Sequence, residues 1–441
     1  MSKVYKYILP AFVAALFGVN LSAQTEGAHN SYSPYSIFGI GDLYTPGSAY
    51  NKSMGGVGIA MRNNQYINYL NPAAVTARDT LAFMADINLS VQNKIFTQNG
   101  RKSANNSFNI SGAAFTVPIY KKSAFIMGIV PFSDVAYDFT ARVNNTQSLS
   151  ETGFITRAAK GDGGLYQLFA GAGVMLGRHF SVGAQALYYF GKIDKDYTYT
   201  FETITAGNLY TGQDIELHAL TGKFGIQYET RFSNGITLTA GATHRLKTSL
   251  KGNVTDYKFN TFSSVTDTLR NSLDTLGKHN RGVKLAGETG IGIALRKGDK
   301  WRVEVDYTFA DWTGTGFETV AGFTSTSSTS VFTTAKTHSI RMGAEYIPNK
   351  NDIRYYLRRC AYRAGLYYNT SYFKLNGNTI NSYGLTLGVT LPIFRWYNGL
   401  TLGVDIGQRG GAKASMVKER YIMFNVGFNI HDIWFQKPRY D

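Results

Sequence analysis

"LAFMADINLSV", residues 81–91, decides the fold. Leu81, Phe83, Ala85, Ile87, Leu89 and Val91 fall on one parity, and Ala82, Met84, Asp86, Asn88 and Ser90 on the other. Successive side chains of a strand point to opposite faces, so the stretch has one apolar face and one mainly polar face. The alternation returns in "HFSVGAQALYYFGK" (179–192), "GLTLGVDIGQ" (399–408) and "YIMFNVGFNIHDIWF" (421–435). Working outward from these gives about fourteen such segments between 80 and 435, the weak but repeated signal of a membrane barrel.

The connections agree. "YKKS" (120–123), "LGRH" (176–179), "FSNG" (232–235), "RKGDK" (296–300) and "RWYNG" (395–399) are tight turns, whereas 143–162, 258–280 and 316–335 are long and polar, the last carrying "TSTSSTS". Short turns on the periplasmic rim and long loops on the other are what such a barrel requires. An even strand count returns the chain to its starting rim. Closure is compulsory in lipid, where an open edge leaves backbone groups unpaired. A soluble sandwich also alternates, but its strands run about five or six residues. Aromatic residues gather near segment ends, at Tyr188, Tyr189, Tyr197, Tyr199, Trp301, Tyr307 and Trp312, as interfacial girdles do. The expected fold is therefore all-β: an antiparallel transmembrane β-barrel of about fourteen strands.

Composition fits an exported membrane chain. Lys3 and Lys6 precede the apolar run Ile8 to Leu21, and Leu21-Ser22-Ala23 offers a small residue before Gln24, so residues 1–23 read as a cleaved signal peptide. Charged residues make up only 17% of the chain against 30 Tyr and 28 Phe, and no apolar run is long enough for a spanning helix. The single cysteine, Cys360, excludes internal disulfides. The formal charge of +16 is scattered over turns, at Lys121, Lys122, Arg178, Lys297, Lys300, Lys350 and Arg395, which excludes a nucleic-acid groove. Seven dispersed histidines, and no nucleophile elbow or phosphate loop, argue against an enzyme, a metal site and a cofactor. The expected address is the outer membrane of a Gram-negative bacterium, among lipid and lipopolysaccharide.

If the apolar face meets lipid, the other face lines the lumen. There it places Lys284, Glu288, Arg302, Glu304, Asp306, Arg341, Glu345, Arg363 and Asp405. Both signs on neighbouring strands favour a structural network over a substrate-steering ladder. "AFTVPIY" and "SAFIMGIVPF" are apolar on both faces, so Phe115, Val117, Ile126 and Val130 are candidates for an apolar lumen wall. Pro131 lies within the second of these; a mid-strand proline implies a bulge or an unpaired edge. The residues alone leave both an ordinary bulge and a lateral passage open.

Before the first strand stands "SMGGVGIAMRNNQYINYLNPAAV", residues 53–75. Gly55, Gly56 and Gly58 permit tight turns and close backbone approach. Pro72 would end a short helix such as 62–70, and Asn71 is a plausible cap. This glycine-rich run into Asn71-Pro72-Ala73 resembles the N-terminal region of the FadL family of outer-membrane transporters for hydrophobic molecules, the OMPP1/FadL/TodX type. "GGLYQLFAGAGVMLGRHFSVGAQALYYFGK" (163–192) looks like a central hairpin of that family. The resemblance implies fourteen strands, a hatch plugging the lumen, a bound long-chain fatty acid or other apolar compound, and lateral release at a kinked third strand, here at Pro131. Three regions follow: signal peptide 1–23, N-terminal extension and hatch 24–79, barrel 80–441. The functional expectation is passive uptake of a hydrophobic small molecule. The alternative is a FadL-like barrel whose long loops bind a partner in type IX secretion.

Overall fold

The computed structural model describes residues 32–79, 82–120, 122–143, 154–202, 208–261, 266–272, 282–320, 322–324, 331–394, 398–411, 413 and 416–433. The signal-peptide segment lies outside them.

Fourteen antiparallel wall positions run in chain order. They are β1 (Ala82–Gln98), β2 (Arg101–Tyr120), β3 (Ser123–Asp134, continued by Tyr137–Val143), β4 (Ile155–Leu176), β5 (Phe180–Phe201), β6 (Asn208–Arg231) and β7 (Ile236–Arg245, continued by Lys251–Asn260). The second half is β8 (Thr266–Ser272, then Glu288–Lys297), β9 (Trp301–Asp311), β10 (Phe332–Thr334, then Lys336–Tyr346), β11 (Ala361–Leu375), β12 (Asn378–Phe394), β13 (Asn398–Gly410) and β14 (Lys418–Ile433). Each pairs with its chain neighbours, and β14 returns to β1 from Ala82↔Ile433 to Thr97↔Lys418, closing the barrel.

Burial follows the alternation. On β1, Ile87 is 46% exposed on the outer face, while its neighbour Asn88 is 3% exposed on the inner one. Ile291, Ile293, Val303, Val305, Leu366 and Leu387 continue an apolar outer belt that would face lipid. The aromatic residues divide. Tyr188 and Tyr307 stand outside, but Tyr189, Tyr197 and Trp312 are buried inside and join an interior apolar cluster, which corrects their reading as interfacial anchors. Strand ends that project beyond the membrane have an enclosed inner side, and large rings fill it.

The rims differ from a strict short–long alternation. Asn99-Gly100 and Asn376-Gly377 close two tight hairpins on the long-loop rim, all four residues at positive φ. The expected loop 258–280 also contains Thr266–Ser272, which pairs with Lys251–Asn260.

The interior is filled by residues 32–79. Inward glycines face one another in register across the wall, among them Gly173↔Gly183, Gly241↔Gly292, Gly343↔Gly365 and Gly388↔Gly403. A Cβ at Gly173 would stand 2.8 Å from the Pro72 carbonyl oxygen, and one at Gly403 3.1 Å from Ser53 Cβ. At Gly365 it would overlap Gly55 N and Met54 C. These positions let plug backbone lie directly on wall backbone. Gly365→Val should therefore unseat the plug while leaving the barrel closed, an overpacking cost of about 1–3 kcal/mol or more. Faster trypsin cleavage at Arg62 in G365V checks this, with Gly222→Ala, whose nearest foreign atom is 3.6 Å away, as a silent control.

Candidate functional site

The plug and its seat form the site. Ser33 caps a 3₁₀ turn at Pro34–Ile37; Asp42–Leu43 make a two-residue strand; Ala49–Lys52 form one helical turn; Pro72–Ala77 form a second 3₁₀ turn. Segment 62–70 contains no helix, contrary to the expectation. Pro72 opens a turn instead of ending one. It sits at the first helical position, where its missing N–H costs nothing, and Asn71 Oδ1 caps it by accepting from Ala73 N at 3.0 Å. Asn71 Nδ2 also donates to the Ile59 and Ile226 carbonyls. Gly55 and Gly56 take positive φ, and a Cβ on Gly55 would meet the Met342 carbonyl at 2.6 Å.

Most of the lumen charges expected on one wall are brought together here, with the plug as their main partner. Asp306 accepts from Gly58 N at 2.7 Å and Ile59 N at 2.9 Å; Glu304 accepts from Ala60 N at 3.0 Å. Arg302 donates to the Tyr50 hydroxyl and the Arg62 carbonyl, both at 3.0 Å. Three inward positions of β9, two residues apart, thus read consecutive plug backbone. Arg341 donates to the Gly56 carbonyl. Glu345 accepts from Tyr50 and pairs with Arg363 at 2.8 Å, and the Arg363 guanidinium lies 3.9 Å over the Tyr50 ring. Glu288 meets Arg245 at 3.8 Å, away from this cluster. Lys284 does not belong: it is exposed, in a short strand paired with Thr248–Ser249. Burial pushes the Lys52 ammonium of the plug helix down to about 8, with the Asp405 carboxylate opposing the shift.

The apolar wall divides by face. Ile126 and Val130 point inward, into a buried cluster that includes plug residues Ile67, Tyr69, Leu70 and Val75. Phe115, 37% exposed, and Val117 are on the outer face, so they line no lumen. A strand apolar on both sides hides its inward parity from sequence, and only its register to β1 resolves it. The inward wall is covered: Tyr69 stacks on Phe169 at 5.1 Å.

Pro131 marks a seam. β2 and β3 pair from Tyr120↔Ser123 up to Ala113↔Ile129 and then part. Gly112 is at φ 128°, and β3 bulges against β4 between Pro131 and Ser133. Above the parting, the plug takes the place of β2. Asp42 and Leu43 pair with Asp134 and Ser133, Tyr44 N donates to the Phe132 carbonyl at 3.0 Å, and Ser33 N to the Ala136 carbonyl at 2.8 Å.

Several participants escaped the sequence reading. Tyr372 donates to the Phe38 and Gly41 carbonyls, and Lys195, fully buried, donates to the Ile37 and Gly322 carbonyls at 2.9 and 2.7 Å, strapping the plug to the loop after β9. Gln227 donates to the Ile59 carbonyl, two residues after the inward Gly225. The available signal was polar residues recurring two positions from inward glycines. The cavity left inside, about 340 Å³, has a mixed lining that includes Lys52, Glu288 and Asp405 and also Val130, Phe132 and Trp312.

A closed antiparallel wall of fourteen strands is the barrel of FadL-type channels. The CymD monoaromatic hydrocarbon channel superposes with a TM-score of 0.54 at 14% identity, over 90% of this chain and 100% of that one. The Ralstonia pickettii toluene transporter TbuX gives 0.52 at 13% over 90% and 98%, and a Pseudomonas aeruginosa FadL homologue 0.54 at 10% over 88% and 99%. Identity at this level establishes a shared fold. The BamG family model matches residues 5–441, and the chain belongs to that family. No curated protein sequence matches it.

Each backbone-to-carboxyl bond of the seat is worth about 1 kcal/mol, and leaving the buried N–H without it costs about 1–3 kcal/mol. Glu304→Gln with Asp306→Asn should loosen the plug. Planar-bilayer recording should show the native protein electrically quiet and the double variant flickering open; two equally quiet proteins would remove these carboxylates from the retention of the plug.

Proposed function

We propose that the protein is a plugged barrel of the Gram-negative outer membrane that works closed, presenting its rims to partner proteins. The observation that carries this reading is the seat. Plug backbone lies against wall glycines, and its N–H groups are held by Asp306, Glu304, Thr386 and Asn88. The internal cavity is mixed, with charged Lys52, Glu288 and Asp405 sharing its lining with Val130, Phe132 and Trp312, so it is not a purely apolar pocket. A component of a secretion or assembly apparatus, as in type IX secretion, is the class of partner this reading implies, with lipid and lipopolysaccharide around the wall.

A second reading, passive uptake of hydrophobic small molecules such as long-chain fatty acids, is favoured by the seam at Pro131. The fold neighbours, a monoaromatic hydrocarbon channel and a toluene transporter, point the same way. On that reading the plug segment 32–44 withdraws from β3 and a solute leaves sideways between β2 and β3.

A cross-link separates the two. Leu43→Cys with Ser133→Cys puts the two thiols on directly opposed residues of the plug–β3 pairing, fixing segment 32–44 to the wall. The oxidised variant should complement a deletion strain as well as the reduced one. Complementation lost on oxidation and regained with reductant would contradict the closed reading and favour transport.

A further inference from the structure

The short-turn rim encloses a cavity of about 490 Å³ that the barrel's closed state leaves open to the periplasm. Its walls come from the ends of β4, β6 and β8 to β12 with Lys122 of the β2–β3 turn, and its floor from plug residues 62–66 and 76–79. Seven arginine and lysine side chains line it against four carboxylates.

Three of those carboxylates are already engaged. Glu229 pairs with Arg296 at 3.1 Å and Arg62 at 3.6 Å, Asp299 with Lys350 at 2.9 Å, and Glu345 with Arg363 at 2.8 Å. Arg78 donates to the Ala82 and Ser123 backbone carbonyls. The Nε atoms of Arg78 and Arg296 are buried and have no partner among the described residues. The fourth, Asp79, stands beside Arg78, so the lining keeps a positive excess to which Arg78, Lys122, Arg302 and Arg359 contribute. Between the charges stand Asn63, Asn64, Gln65 and Thr390, amides and hydroxyls of the kind that satisfy an extended backbone.

We infer that this vestibule is a binding site for an acidic peptide segment of a periplasmic protein. The inference rests on the reading of the barrel as an interaction protein and names the chemistry of one partner. Guanidinium forks and an ammonium group around a cavity match carboxylates spaced along an extended chain. The site faces the periplasm at the centre of the rim, away from the lipid belt. A bound segment would touch Arg62, whose guanidinium holds Thr76, Ser181 and Gln227 and whose carbonyl accepts from Arg302. Occupancy would thus brace the plug from below.

The test uses the full-length protein in detergent and a fluorescein-labelled peptide of alternating Asp and Ser, with the Lys–Ser analogue as comparison. Anisotropy should show binding of the acidic peptide alone, lost at about 0.5 M NaCl. Arg78→Gln with Lys122→Gln should weaken it about tenfold or more. Lys192→Gln, a single charge removal on the exposed long-loop half, should leave it unchanged. Heat-modifiable migration reports that each barrel has folded. If R78Q does not fold, Lys122→Gln with Lys350→Gln on the exposed turns replaces it, with the same expectation. Equal binding by the rim variants overturns the site, as does equal weakening by K192Q. Displacement by inorganic phosphate at matched ionic strength overturns the peptide assignment in favour of a small-anion site. Any of these with complementation by the cross-linked barrel intact would sink the vestibule and leave the closed reading standing.

Discussion

Everything inside this barrel depends on backbone lying against backbone. A wall of fourteen strands encloses a lumen that side chains alone would not fill, and the plug enters it because the wall offers glycine where the plug passes. The pairs Gly343↔Gly365 and Gly388↔Gly403 are in register, so the smooth patches are continuous from strand to strand. That close approach has an electrostatic consequence. Plug N–H groups at van der Waals distance from the wall are cut off from water and need acceptors. Asp306 and Glu304 supply them from the strand next to those patches.

The same constraint explains the polarity of the interior. A lumen meant to hold an apolar compound would be lined by aliphatic and aromatic side chains. Here the apolar inward residues are taken up by packing: Ile126 and Val130 join the cluster with Tyr69 and Val75, and Trp312 and Tyr372 meet at 4.9 Å near the long-loop rim. What stays open is lined by both kinds of residue, Lys52 and Glu288 beside Val130, Phe132 and Trp312. The fold is shared with hydrocarbon channels, yet fold does not fix function, and in this BamG family chain residues 32–79 occupy much of the interior.

The wall was legible because one parity of "LAFMADINLSV" is apolar and the other polar, so lipid and lumen sides declare themselves. Legibility failed where both parities are apolar: Phe115 and Val117 face out while Ile126 and Val130 face in, and only register decides. The plug was legible as glycines running into Asn71-Pro72-Ala73, but its conformation was not. Pro72 starts a turn rather than ending a helix, because proline fits both places and the choice is made by Asn71's contacts with Ile59 and Ile226. The inward charges were visible as a set. Their partners were not, because a carboxylate bonded to distant backbone N–H groups has no counterpart in the sequence. Lys284 shows the converse, a correct residue type on a segment that lies outside the wall.

The most direct test of the closed barrel is amide hydrogen exchange in the native protein. Gly58, Ile59 and Ala60 should exchange as slowly as wall residues 342–345, because their N–H groups are bonded to Asp306 and Glu304 within the lumen. Exchange at those three amides as fast as in the turn 349–352 would contradict the account, since the plug would then leave its seat under native conditions.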